Sequence, residues 1–229
     1  MILFICASTT MASAQDYSGV QLGFAQPIAR PNTPTTKTSL LATSYNGFKV
    51  GLVYDATIIK GFGVSMGLNY TFGNHTSAWK QIGTLPYPQE RTTGQYHQLE
   101  IPIDWQYKFE IAKRTWIILY TGPTLQCGLD LTSKLYTNNG KKITLEKDNS
   151  FYSEDMKDKE LKRINVTWGL GAGFQYDRYF LRGGYDFGLI NPYKASQFDY
   201  TDTNGGHPRT RGRFDQWQIK VGIYLWQSK

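Results

Sequence analysis

Eight segments of this chain alternate apolar with polar residues, and the links between those segments alternate short with long. The segments are 19–26, 47–58, 62–73, 99–111, 116–131, 164–176, 179–189 and 213–226. A repeat of two residues is the period of a β-strand, because successive side chains leave opposite faces. In 99–111, Leu99, Ile101, Ile103, Trp105, Tyr107, Phe109 and Ile111 alternate with Glu100, Pro102, Asp104, Gln106, Lys108 and Glu110. Residues 59–61, 112–115 and 177–178 make the short links, and 31–44, 77–93, 132–163 and 190–212 make the long ones. An even number of strands with short turns at one end and long polar loops at the other is the pattern of an outer-membrane barrel. A soluble sandwich has no reason to sort its loops by length.

The expected fold is therefore all-β: an eight-stranded antiparallel up-and-down transmembrane β-barrel with short periplasmic turns and four long extracellular loops. No apolar run approaches the roughly 18 residues a membrane-spanning helix needs, and aromatics make up 15% of the chain, which argues against disorder. The apolar face of each strand is expected in lipid, and closure leaves no strand edge unpaired there. The other face carries Lys49, Asp55, Glu100, Asp104, Lys108, Glu110, Arg182, Asp186 and Lys220. Eight strands leave a lumen only wide enough for side chains. These charges are expected to fill it as an ion-pair network, because an isolated buried charge is costly. Pro102 lacks an amide donor, so the ladder is expected to break beside it at a bulge. Tyr54, Tyr70, Trp105, Tyr107, Trp168 and Tyr176 are expected in aromatic girdles at the membrane interfaces.

Residues 1–14 read as a signal peptide: an apolar stretch followed by Ala12-Ser13-Ala14. The remainder, 15–229, is expected to form one barrel domain in the outer membrane. Cleavage would leave Cys127 as the sole cysteine, which excludes an internal disulfide. The formal charge of +7 does not indicate nucleic-acid binding, because the 132–163 loop mixes lysines with Glu146, Asp148, Glu154, Asp155, Asp158 and Glu160. No cofactor or metal spacing is present.

The segment LEIPIDWQYKF resembles the "leiPlllky" stretch of PorT-like outer-membrane β-barrels. GPTLQCGLDL is similar to that family's next strand, and WGLGAGFQYDRYFLRGGYDFGLINPY to its following hairpin. Arg182 is followed here by Gly183-Gly184-Tyr185, where the family often has an Arg-Tyr pair. The resemblance implies an outer-membrane barrel of Bacteroidetes-type Gram-negative bacteria, some members of which take part in secretion. The expected function is a non-enzymatic structural or partner-binding barrel, in a secretion or envelope complex. It would contact outer-membrane lipids, and a protein partner through loops 132–163 and 190–212. Tyr193, Phe198, Tyr200, Arg209 and Arg211 of the second loop suit equally a contact surface or a loop folded down over the barrel mouth. One alternative is a lipid A-modifying enzyme using His75 and His97 with Ser77 or Glu90 near the rim. The other is a narrow channel.

Overall fold

A computed structural model describes residues 15–31, 44–59, 61–83, 88–152, 161–193 and 212–228. The signal peptide and most of the 190–212 loop, with Phe198, Tyr200, Arg209 and Arg211, lie outside the described residues.

Ten strands are present among the described residues: β1 (Gln15–Pro31), β2 (Asn46–Ile59), β3 (Phe62–Thr76), β4 (Lys80–Gln81), β5 (Gln89–Ala112), β6 (Thr115–Asn138), β7 (Ile143–Ser150), β8 (Ile164–Tyr176), β9 (Tyr179–Gly188) and β10 (Gly212–Ser228). Eight of them close into a ring. The order is β1-β2-β3-β5-β6-β8-β9-β10, and β10 pairs back onto β1, every pairing antiparallel. The short links become tight turns, where Gly61, Arg114 and Asp177 take positive φ. At the second of these the β-ladder runs up to the rung pairing Ala112 with Thr115.

The alternation sorts as lipid demands. Leu22, Leu52, Leu68, Ile103, Leu119, Leu170 and Val221 are exposed on the outer face. Membrane hydrocarbon covers that surface, so the apolar residues need no protein core. The inner face packs side chains against glycine. Tyr120 crosses the lumen over Gly171 and Gly184, where added β-carbons would sit 2.3 and 2.6 Å from its hydroxyl.

Two expectations change. The long loops are partly strand. β5 begins at Gln89, and β6 runs on to Asn138 and turns into β7. β4, β7 and the outer halves of β5 and β6 thus form a sheet that rises past the barrel. At about 3.3 Å per residue, 24 residues in each of β5 and β6 far exceed one membrane crossing. Pro102 also sits at no bulge. The β3–β5 ladder skips the rungs between Met66–Ile103 and Asn69–Glu100 without shifting register. Gly67 makes the space: a β-carbon there would lie 3.4 Å from the Pro102 ring. The β5–β6 register shifts fall at His97–Gln98 and at Glu110–Ala112 instead.

Candidate functional site

The inward-facing charges come from four strands, β2, β5, β9 and β10. Lys49 on β2 pairs with Glu100 on β5 and donates to Gln218 Oε1 at 2.7 Å. Glu100 also accepts from Thr71 at 2.8 Å, Gln98 at 3.1 Å and Gln216 at 3.3 Å. Asp55 on β2 holds a second group: Arg182 Nη2 at 2.5 Å, Lys108 Nζ at 3.2 Å and the Tyr224 hydroxyl. Arg182 donates onward to Ser65 at 2.8 Å and Gln106 at 3.2 Å, and its guanidinium carbon lies 5.1 Å from the Phe180 ring centre. Lys108 donates to Gln175 at 3.1 Å and stands 4.9 Å from the Tyr17 ring centre. Asp186 accepts from Gln218 at 2.8 Å. Asp104 and Lys220 are buried in the same lumen, with the Lys220 ammonium 6.0 Å from the Tyr120 ring centre.

Glu110 does not join them. It has the inward parity of Lys108, but it lies beside the periplasmic turn at a break in the β5–β6 register, and it is exposed. Without it the described lumen holds four cations, Lys49, Lys108, Arg182 and Lys220, against four acids, Asp55, Glu100, Asp104 and Asp186. A formally neutral set suits a narrow interior of low polarisability.

Two apolar layers bracket these charges. Toward the periplasm, Tyr17, Val53, Phe180 and Tyr224 form a buried cluster. At the loop end, Tyr45, Tyr96 and Leu131 of the barrel wall pack with Phe151, Tyr152, Leu161 and Tyr193, which the loops contribute. Backbone bonds pin the loop residues. Phe151 N donates to Leu131 O at 2.9 Å, and Lys162 N donates to Pro192 O at 2.9 Å. Burial raises the Tyr193 phenol to about 12 and pushes the Tyr152 phenol up as well. Among the described residues an aromatic plug thus closes the mouth, with a cavity of about 20 Å³ beside it lined in part by Tyr45, Leu131 and Phe214. Tyr193 belongs to the loop expected either as a contact surface or folded over the mouth, and the structure seats it in the plug; the sequence pattern missed the other residues of the two layers. Phe180 and Tyr224 have inward parity between outward apolar neighbours, a signal that was readable. Phe151, Leu161 and Tyr193 lie in loops with no periodicity.

Tyr54, Tyr70, Trp105, Tyr107, Trp168 and Tyr176 all project outward. Tyr176 stands at the periplasmic turn, paired with Tyr179. Tyr70 lies toward the loop end, its hydroxyl 2.5 Å from His97 Nδ1. Trp105 and Trp168 meet at 5.8 Å part-way along their strands. The Trp168 indole donates to Thr121 Oγ1 at 2.9 Å, so its polar edge is satisfied by protein rather than by interfacial water.

His75 and His97 are not neighbours in chemistry. His97 has outward parity and bonds Tyr70, whereas His75 has inward parity, with its ring 6.0 Å from Tyr45. Ser77 Oγ accepts the Thr92 amide at 2.9 Å, and Glu90 pairs in register with Lys80. These four residues do not converge on a reacting atom. Among the described residues no cluster of three or more His, Cys, Asp or Glu could hold a metal.

A family model described as "Outer membrane protein beta-barrel domain" matches residues 13–193. Among solved structures, the chain is similar to Ail, the attachment invasion locus protein of Yersinia pestis, at 11% identity over 94% of this chain and 99% of that one, with a TM-score of 0.42. It is also similar to Neisserial surface protein A, at 12% identity over 91% and 97% of the two chains, with a TM-score of 0.40. A third likeness is to the N-terminal β-barrel domain of Pseudomonas aeruginosa OprF, at 8% identity over 91% and 99%, with a TM-score of 0.29. No curated protein sequence matches the chain.

Proposed function

This chain belongs to the family of outer membrane protein beta-barrel domains, and from that footing we propose a sealed, non-enzymatic barrel that acts through its extracellular surface on a partner protein. It resides in the outer membrane, with its apolar strand faces in lipid. The reading extends to a PorT-like barrel in a secretion or envelope complex, in line with the resemblance of 99–109 and 168–193 to that family.

The observation that carries it is the plugged mouth. Loop side chains that seal the lumen cannot also leave it open to a solute, and beneath them Lys49, Lys108 and Arg182 are held in ion pairs with Glu100 and Asp55. The surface left to function is outside. The β6–β7 hairpin presents β7 as an edge strand among the described residues, with Ile143 and Leu145 exposed. Such an edge offers backbone groups for strand addition, and its side chains offer selectivity. A photo-crosslinking residue at Leu145, activated in living cells, is expected to yield a discrete protein adduct. A residue placed at lipid-facing Leu170 should yield none. Absence of any adduct at Leu145 would remove the partner reading. Single-channel steps from the purified protein in planar bilayers would remove the sealed one.

A further inference from the structure

Where the barrel wall leaves the hydrocarbon can be read from its cross-strand rows. Phe24, Phe48 and Phe72 are directly paired across β1, β2 and β3, and His97 of β5 completes the row. All four have outward parity, and Phe48 is 74% exposed. One step toward the loops, the same strands carry Gln26, Asn46, Asn74 and Gln95, joined by direct Asn46–Asn74 and Asn74–Gln95 pairs and a Gln26–Asn46 hydrogen bond of 3.2 Å. Three phenylalanines and a histidine thus give way to four carboxamides within two residues on each of these four strands. Hydrocarbon excludes primary amides that lack partners. The change therefore marks the upper edge of the apolar layer and puts the amides at headgroup height.

The amide row floors a concavity of about 750 Å³ on the outer wall, where β5 and β6 rise past the ends of β2 and β3. Thr76, Thr93, Thr132 and Tyr136 also line it. Lys134, already held by Asp148 at 3.1 Å, is its one formal charge, and no acid lines it. Asn74 and Gln95 have exposed side chains without a protein partner among the described residues. Carboxamides and hydroxyls, each both donor and acceptor, match the alternating donor and acceptor pattern of sugar hydroxyls. A phosphate alone would call for arginine or lysine clusters instead.

We propose that this groove binds the saccharide headgroup of a glycolipid in the outer leaflet, whose acyl chains lie against the phenylalanine row below. The occupant is assigned by continuity. The groove opens directly above the lipid-facing wall, so a lipid seated there carries its own headgroup into the amides. This inference does not depend on the partner reading above.

The test uses the full chain in phosphatidylglycerol nanodiscs and follows the side-chain amide NMR signals of Asn46, Asn74 and Gln95. Added rough-type lipopolysaccharide is expected to shift them. The triple variant N46A/N74A/Q95A should bind it at least roughly tenfold more weakly, since each lost hydrogen bond is worth about a two- to tenfold change. Heat-modifiable gel mobility reports whether that variant is folded. If it is not, Asn74→Ala alone should show a two- to tenfold loss, again about one hydrogen bond. Signals that ignore lipopolysaccharide, or a folded variant that binds as well as the wild type, would overturn the proposal. So would deacylated oligosaccharide binding as tightly as the intact glycolipid, which would make the occupant a free glycan.

Discussion

Asp55 is the residue whose loss should be felt most inside the barrel. Two cations converge on its Oδ2, Arg182 at 2.5 Å and Lys108 at 3.2 Å, and Tyr224 donates to the same oxygen. With an effective dielectric of about 20, Coulomb attraction at those separations is about 7 and about 5 kcal/mol. Desolvation of three buried ions offsets much of this, so the pairs themselves are a weak source of stability. Removing the anion is a different matter, because it strands two cations beside each other. Breaking a buried pair typically costs about 3–5 kcal/mol, and Asp55→Asn should fall there. Adding Lys108→Met removes one stranded charge. Arg182 then keeps Ser65, Gln106 and the Phe180 ring as neighbours. The double variant should therefore recover about half of the loss or more, against the usual additivity of independent sites. Urea titration of the barrel folded into lipid vesicles, read by heat-modifiable mobility and tryptophan emission, gives both values at one pH. An Asp55→Asn barrel within about 0.5 kcal/mol of wild type, the range usual for surface changes, would refute the account. So would a double variant no more stable than the single one.

Other consequences concern the layers around the charges. Gly222→Ala would place a β-carbon 2.2 Å from Phe180 Cζ and 2.6 Å from the Val20 carbonyl. Overpacking of this kind costs about 1–3 kcal/mol, and Phe180→Leu in the same chain should relieve part of it, as read by the urea midpoint. Leu161→Ala removes a side chain only 2% exposed from the plug, at a local cost of about 2–5 kcal/mol. Its signature is faster hydrogen exchange at the Phe151 and Lys162 amides, with the barrel midpoint little changed. The plug should also loosen in alkali. Burial holds the Tyr193 phenol near 12 in the folded state against an ordinary value of 10.0. The unfolded loop therefore loses its proton first, and the stability present below pH 10 falls away as the pH rises to about 12. Once base-catalysed intrinsic exchange is divided out, Tyr193→Phe should flatten the pH dependence of opening at the Lys162 amide across that window; an unchanged profile would exclude Tyr193 as the titrating group.

What could be read from the chain followed the contrast between the two faces of each strand. In 99–111 every apolar residue meets lipid and every second residue meets the lumen, so polarity and parity carry the same message until Glu110. Above the membrane that contrast disappears. Thr92 to Gln95 and Thr132 to Lys134 are strand, yet both faces meet water or protein, and a polar run of that kind reads as loop. Tyr96 and Leu131 keep inward parity there and become the wall of the plug. Their partners Phe151, Leu161 and Tyr193 are placed by contacts distant in sequence, which no local period encodes.

The same logic explains why the charges were legible as a set but not as pairs. Parity puts Asp55, Lys108 and Arg182 in one lumen, whereas their meeting depends on how far each strand is staggered around the ring. That stagger is written in the β-ladders: Asp55 stands opposite Tyr17 and Ser65, and Arg182 opposite Gly173 and Lys220. Arg182 stands beside a glycine on one neighbouring strand and a like charge on the other, so its guanidinium reaches across the barrel to Asp55. The glycines opposite large inward side chains are therefore part of the charge design. Gly173, where a β-carbon would lie 2.9 Å from Arg182 Cγ, sets the direction of the arginine as much as Asp55 does. A bulky residue at Gly173 should deflect Arg182 and produce the stranded-charge loss of Asp55→Asn with every ionisable group still present.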